Sequence, residues 1–182
     1  ASMAWKVGVS WLNSDFSYTP SQQDNRLAGE ANVERFMLST QYFAEHWEVS
    51  IELLSEAQHS RGLFAPDFND KRRGDGGFIQ FRYLFNSQIS GLIGYDTYVN
   101  DVNDRDGKRL EQLSNGAVPA YFGYQDTTTL GLRWDIAPKW RLQGEYHWVE
   151  GATRVVSLLD RNVAAQADKN WQMWSLQLMY WW

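Results

Sequence analysis

Apolar and polar residues alternate with period two along most of the chain. Trp5, Val7, Val9 and Trp11 are interleaved with Lys6, Gly8 and Ser10. The pattern returns in Phe36, Leu38, Thr40 and Tyr42, in Trp47, Val49, Ile51 and Leu53, and in Ile79, Phe81, Tyr83 and Phe85. It appears again in Ile89, Ile93, Tyr95, Thr97 and Val99, and in Leu130, Leu132, Trp134 and Ile136. The last two copies are Trp140, Leu142, Tyr146 and Trp148, then Trp174, Leu176, Leu178, Tyr180 and Trp182. Strict alternation marks a strand with two different faces. The spacing predicts eight strands of about nine to eleven residues, a length that crosses a bilayer when tilted.

The connections alternate too. Short ones are predicted at Ala44-Glu45-His46, Asn86-Ser87-Gln88 and Ala137-Pro138-Lys139. Long ones are predicted near 13–32, 54–77, 100–126 and 150–171. Pro20, Pro66, Pro119 and Pro138 all fall in connections, as a residue without an N–H should. Short turns on one side and long loops on the other describe an antiparallel up-and-down meander, the pattern of outer-membrane barrels. The fold class expected is therefore all-β, an antiparallel up-and-down transmembrane β-barrel. Residues 1–182 form one domain, either a complete small barrel or the carboxyl-terminal half of a larger one.

Alternation alone does not say which face is inside. A soluble barrel would turn the apolar face inward. That face carries many Trp, Tyr, Phe and Leu side chains, too bulky for the narrow interior of eight strands. Position decides further. Trp5, Tyr42, Trp47, Trp134, Trp140 and Trp182 stand near the short turns, and Trp11, Trp148 and Trp174 near the long loops. Between them lie mostly Val, Leu and Ile. Two aromatic rows around an aliphatic band match the interfacial girdles of a membrane barrel.

Composition fits once the faces are separated. The 182 residues include ten Trp and no Cys, with a formal net charge of −5. Mean hydropathy is −0.52, because each strand averages a lipid face with a watery one. No apolar run approaches the roughly 20 residues of a membrane helix. The acidic balance argues against nucleic acid as a partner, and the lack of Cys excludes thiol chemistry and disulfides. Ala1 to Trp5 has neither the basic start nor the apolar run of a leader peptide.

Three stretches carry a resemblance. WQMWSLQLMYWW, ending at Trp182, has a bulky apolar residue at every second position and an aromatic at the end. It resembles the terminal strand that the barrel-assembly machinery reads in bacterial outer-membrane proteins. GLRWDIAPKWRLQGEYHWVEG (131–151) resembles late hairpins of Gram-negative porins, and FMLSTQYFAEHWEVSIEL (36–53) an earlier one. The resemblance implies a barrel in the bacterial outer membrane that passes ions and small hydrophilic solutes by passive diffusion. Its other implied partners are the lipid bilayer and lipopolysaccharide. Porins often form trimers, but no segment here marks a homo-oligomer interface. General porins have about sixteen strands and this chain supplies about eight. The competing expectation is a closed eight-stranded barrel with a packed polar lumen, acting through its loops as an anchor or surface-binding protein.

The predicted inner face carries Arg35, Arg82, Arg133 and Arg141 against Glu48, Glu52, Asp96, Asp135 and Glu145, with His147 among them. Charges there must be paired or hydrated. In a wide barrel they would line the lumen and set its selectivity. His147 has Glu145 on the same face, but the strand pattern places no Ser beside them, so no nucleophile is specified. The expectation is a protein that is not an enzyme. Asp101 to Gly107 (DVNDRDG) lacks the ligand spacing of a calcium loop and reads as a solvated turn. No cofactor or metal is expected. Lys71-Arg72-Arg73 reads as a solvated basic run in the second long loop, neutralised by Asp67, Asp70 and Asp75, with contact to anionic lipopolysaccharide as the alternative.

Overall fold

The computed structural model describes residues 4–21, 27–63, 65–156 and 167–182. The chain forms β1 (Ala4–Tyr18), β2 (Gly29–Phe43), β3 (Trp47–Arg61), β4 (Asn69–Leu84), β5 (Ile89–Val99), β6 (Tyr124–Ala137), β7 (Trp140–Gly151) and β8 (Asn170–Tyr180). Two short helices, α1 (Lys108–Leu113) and α2 (Thr153–Val156), and a 3-10 turn (Ala120–Phe122) lie in the connections. All eight strands belong to one antiparallel sheet in chain order. No described helix is long and apolar enough to cross a membrane.

The strands are longer than the alternation predicts, 11 to 16 residues each. The ladder of β3 and β4 continues to Arg61↔Asn69 and that of β1 and β2 to Tyr18↔Gly29. Much of the expected loops at 13–32 and 54–77 is therefore strand. Those extensions are mostly polar, so the backbone pairs while the regular hydrophobic period fades. Lys71, Arg72 and Arg73 consequently stand in β4 and not in a loop.

The register makes each face continuous. Trp5, Tyr42, Val49, Phe81, Ile93, Leu130, Tyr146 and Trp174 form one row across all eight strands. The next row is Lys6, Gln41, Ser50, Gln80, Gly94, Thr129, His147 and Met173, on the opposite face. Exposure is inverted relative to a soluble protein. Leu132 is 55% exposed and Ile93 52%, whereas Ser50, Ser90 and Thr127 are at most 8%. Small polar groups sheltered opposite large exposed apolar ones mean that the polar face is the concave one.

The row starting at Trp5 reaches Trp174 on β8, but the turn-end aromatics there are Tyr180 and Trp182, six to eight residues further along. That is about 20–27 Å of chain over seven interstrand steps of roughly 4.8 Å. The aromatic line thus slopes by about 30–40° to the hydrogen-bonding rows, near the strand tilt of membrane barrels.

Among the described residues β1 pairs only with β2 and β8 only with β7. The sheet has two free edges. Val7 and Trp174, on those edges, are each 71% exposed, above the central strands.

An arginine at the centre of the convex face should cost about 2–4 kcal/mol in lipid. Leu132→Arg is expected to lower stability by that amount in urea titrations from phospholipid vesicles. Gln80→Arg, on the polar face, is expected to cost less than about 1 kcal/mol. Equal losses would contradict the assignment of faces.

Candidate functional site: the polar concave face

The ten charged or titratable residues singled out in the sequence share the concave face. They come together in groups. On β2 and β3 the Arg35 guanidinium is paired with Glu56, which also accepts a hydrogen bond from the Tyr98 hydroxyl (3.4 Å). On β6 and β7 the Asp135 carboxylate takes Arg133 and Arg141, each at 2.6 Å. Arg133 and Asp135 are two apart on one strand, and Arg141 faces Asp135 across the hairpin, so one carboxylate serves both guanidiniums. Glu48 and Arg82 are cross-strand neighbours, and the Ser50 hydroxyl donates to Glu48 (3.3 Å). Glu52 shares a row with Asp96 through Phe78.

His147 has more around it than the sequence indicates. Its Nε2 lies 3.5 Å from Glu145, and its Nδ1 lies 2.8 Å from the hydroxyl of Thr129. Gln143 donates to the same Glu145 (2.8 Å). Thr129 is the register partner of His147, so the hydroxyl arrives from the neighbouring strand. Strand spacing could not reveal it, because spacing gives faces and not pairings. A hydroxyl, an imidazole and a carboxylate in line can relay a proton. They border a hollow of about 370 Å³, with Asp96, Gln125 and Trp171 among its other walls. Gly94, Thr127 and Thr129 are small, and Phe78, Leu92 and Trp171 are bulky, which leaves the concavity.

The connections add a cation that the sequence reading missed. Arg154, on α2, forms an ion pair with Asp96 and stands 5.4 Å from the Tyr98 ring centroid. Its position depends on Gly151, where β7 ends at φ +90°. A Cβ at that glycine would lie 2.2 Å from the Tyr124 carbonyl, so only glycine fits the turn.

The convex face carries the girdle aromatics. Rings at the turn end touch in sequence: Trp5 to Tyr42 at 4.7 Å, Tyr42 to Trp47 at 5.1 Å and Trp47 to Phe81 at 6.1 Å. Trp140 meets Tyr180 at 4.7 Å. Trp134 continues the line on β6. Trp11 stands mid-way along β1 on this face, its indole donating to Glu34 (3.0 Å), with Trp174 mid-way along β8 and Trp148 nearer the loop end of β7. Trp182 lies past the end of β8 and is 95% exposed.

The basic run divides between faces. Arg72 lies on the concave side, paired with Asp70 at 2.9 Å, while Lys71 and Arg73 share the other face. At the rim the Lys169 ammonium is 2.9 Å from Glu150, a hydrogen bond that holds its pKa above the ordinary lysine value. Asp101, Asp104 and Asp106 accept backbone N–H groups of the 101–110 turn, and no metal-binding cluster occurs among the described residues.

No protein-family model matches the sequence, and no curated protein matches it. Two solved structures do match in fold. One is outer-membrane expressed OmpT of Vibrio cholerae, with a TM-score of 0.62, 13% identity, and coverage of 99% of this chain and 52% of that one. The other is the in-vitro folded form of OmpT, an outer membrane protein of Vibrio cholerae, with a TM-score of 0.61, 13% identity and the same coverage. The chain therefore spans about half the length of the solved proteins it matches. The expectation that the protein is not an enzyme is corrected here. The likeness to OmpT extends to the fold and leaves activity open, and the Thr129–His147–Glu145 chain supplies the hydroxyl that the sequence reading found missing. Enzymatic function is no longer excluded. The fold is that of an outer-membrane β-barrel, and the inverted, aromatic-banded sheet is the surface of an integral protein of the bacterial outer membrane.

Proposed function

We propose that this chain is one wall of a porin-type barrel through which ions and small hydrophilic solutes diffuse passively. The observation that carries the reading is a polar, ion-paired concave face on a sheet whose two ends are unpaired. A sheet edge in lipid leaves backbone groups unsatisfied at several kcal/mol each. In this reading further strands cover β1 and β8, and the wider ring leaves water between its walls. The half-length match to OmpT and the porin-like hairpins support the same reading. In it, Arg35, Glu48, Glu52, Arg82, Asp96, Arg133, Asp135, Arg141, Glu145 and His147 line the lumen. Their mixed signs favour weak ion selectivity. The nine girdle aromatics meet the headgroups, and β8 is the strand offered to the assembly machinery. Lys71 and Arg73, on the convex side above the apolar band, face lipopolysaccharide phosphate.

One observation favours the closed eight-stranded anchor as a second reading. Laid antiparallel, the free edges match as Trp5 with Tyr180, Val7 with Leu178, Val9 with Leu176 and Trp11 with Trp174. Aromatics meet aromatics and aliphatics meet aliphatics.

Two measurements separate the readings. Purified protein in planar bilayers is expected to give reproducible openings, and their absence would end the pore reading. A Val9→Cys, Leu176→Cys double variant is expected to form no disulfide within one chain under oxidation in vesicles. Efficient intrachain crosslinking would show a closed eight-stranded barrel. Crosslinked dimers would assign the missing strands to a second copy.

A further inference from the structure

We infer that Arg154 fastens two joined loops to the lumen wall and sets the balance of charge there; the selectivity part rests on the pore reading. The β5–β6 and β7–β8 connections meet where the Ala152 N–H donates to the carbonyls of Tyr121 (2.8 Å) and Tyr124 (3.1 Å). The Tyr121 hydroxyl reaches across to the Ala167 carbonyl (2.8 Å), and the Trp171 indole donates to the Gly151 carbonyl (3.0 Å). Ala152 is 1% exposed, so this junction is packed and not merely adjacent.

The junction reaches the wall at Arg154, while lower in the β5–β6 connection Arg105 pairs with Asp75 of β4 and the Val102 N–H donates to the Arg73 carbonyl (2.7 Å). The Arg154 backbone N–H donates to the Gln125 side chain (3.3 Å), and its guanidinium pairs with Asp96 beside the Tyr98 ring. On the concave face, Arg35 with Glu56 and Arg141 with Asp135 join strand to strand, and Arg133 with Asp135 lies within β6. Arg154 joins a loop to a strand 58 positions away in sequence. Its side chain is 44% exposed, so the pair faces water and can be screened. Two consequences follow from the same contact. Loss of the guanidinium releases the loops and leaves the Asp96 carboxylate bare. Loss of the carboxylate breaks the same tie and removes one negative charge from the wall.

The test compares Arg154→Gln with Asp96→Asn in the full chain reconstituted in vesicles and planar bilayers. Both variants are expected to speed hydrogen exchange at the Ala152 amide, by roughly threefold to fivefold for a half-exposed pair. Their reversal potentials under a salt gradient are expected to move in opposite directions, toward cations for Arg154→Gln and toward anions for Asp96→Asn. Unchanged exchange in both variants overturns the fastening role. Equal or absent selectivity shifts in a conducting protein overturn the charge role. If wild-type protein does not conduct, the pore reading fails, and the exchange measurement alone still decides the fastening.

Discussion

In hydrocarbon no water is available to pair a backbone N–H or carbonyl, and each one left alone costs several kcal/mol. The rest of the structure depends on that constraint. It forces the membrane-crossing backbone into hydrogen-bonded neighbours, and a chain without long apolar helices meets it with strands. It explains why β1 to β8 form one uninterrupted ladder in chain order, joined on one side by turns as short as Pro138-Lys139. It also makes the two free edges the most informative feature of the molecule. In lipid those edges need partners, so the reading of its function turns on what covers β1 and β8.

The two faces then divide the chemistry. The convex face presents an aliphatic band between two sloping lines of rings, and dispersion among those rings is strengthened by contacts such as Trp5 with Tyr42. The concave face keeps its charges in partnerships, with Asp135 serving two arginines and Glu56 serving Arg35 and Tyr98. Such pairs contribute little net stability where water reaches them. They do fix where each charge stands. The Thr129–His147–Glu145 chain sits on the same face, a hydroxyl, an imidazole and a carboxylate within reach of one another.

The fold was legible in the sequence because the environment alternates with the same period as the strand. Eight alternating segments, prolines confined to connections and aromatics at strand ends sufficed. Legibility failed where that alternation stops. Residues 13–18 and 54–61 are strand, yet polar residues dominate both, so the regular period is too weak to mark them. Lys71-Arg72-Arg73 looked like a solvated run for the same reason, although the strand sends Arg72 to one face and its neighbours to the other. The site was legible as a face and not as contacts. Residue spacing placed Glu145 and His147 together, but only the pairing of β6 with β7 brings Thr129 to the imidazole. Arg154 lies in a connection, where no periodic signal exists to aim it at Asp96.

The central claim is that one face of this sheet meets lipid and the other meets water. The absence of native cysteine makes a direct measurement simple. Single cysteines placed in turn at Ile79, Gln80, Thr129, Leu130, Leu142 and Gln143, in protein reconstituted into vesicles, would be exposed to a membrane-impermeant thiol reagent. The account predicts rapid labelling at Gln80, Thr129 and Gln143 and protection at Ile79, Leu130 and Leu142. Labelling that ignores this alternation, or reverses it, would contradict the account.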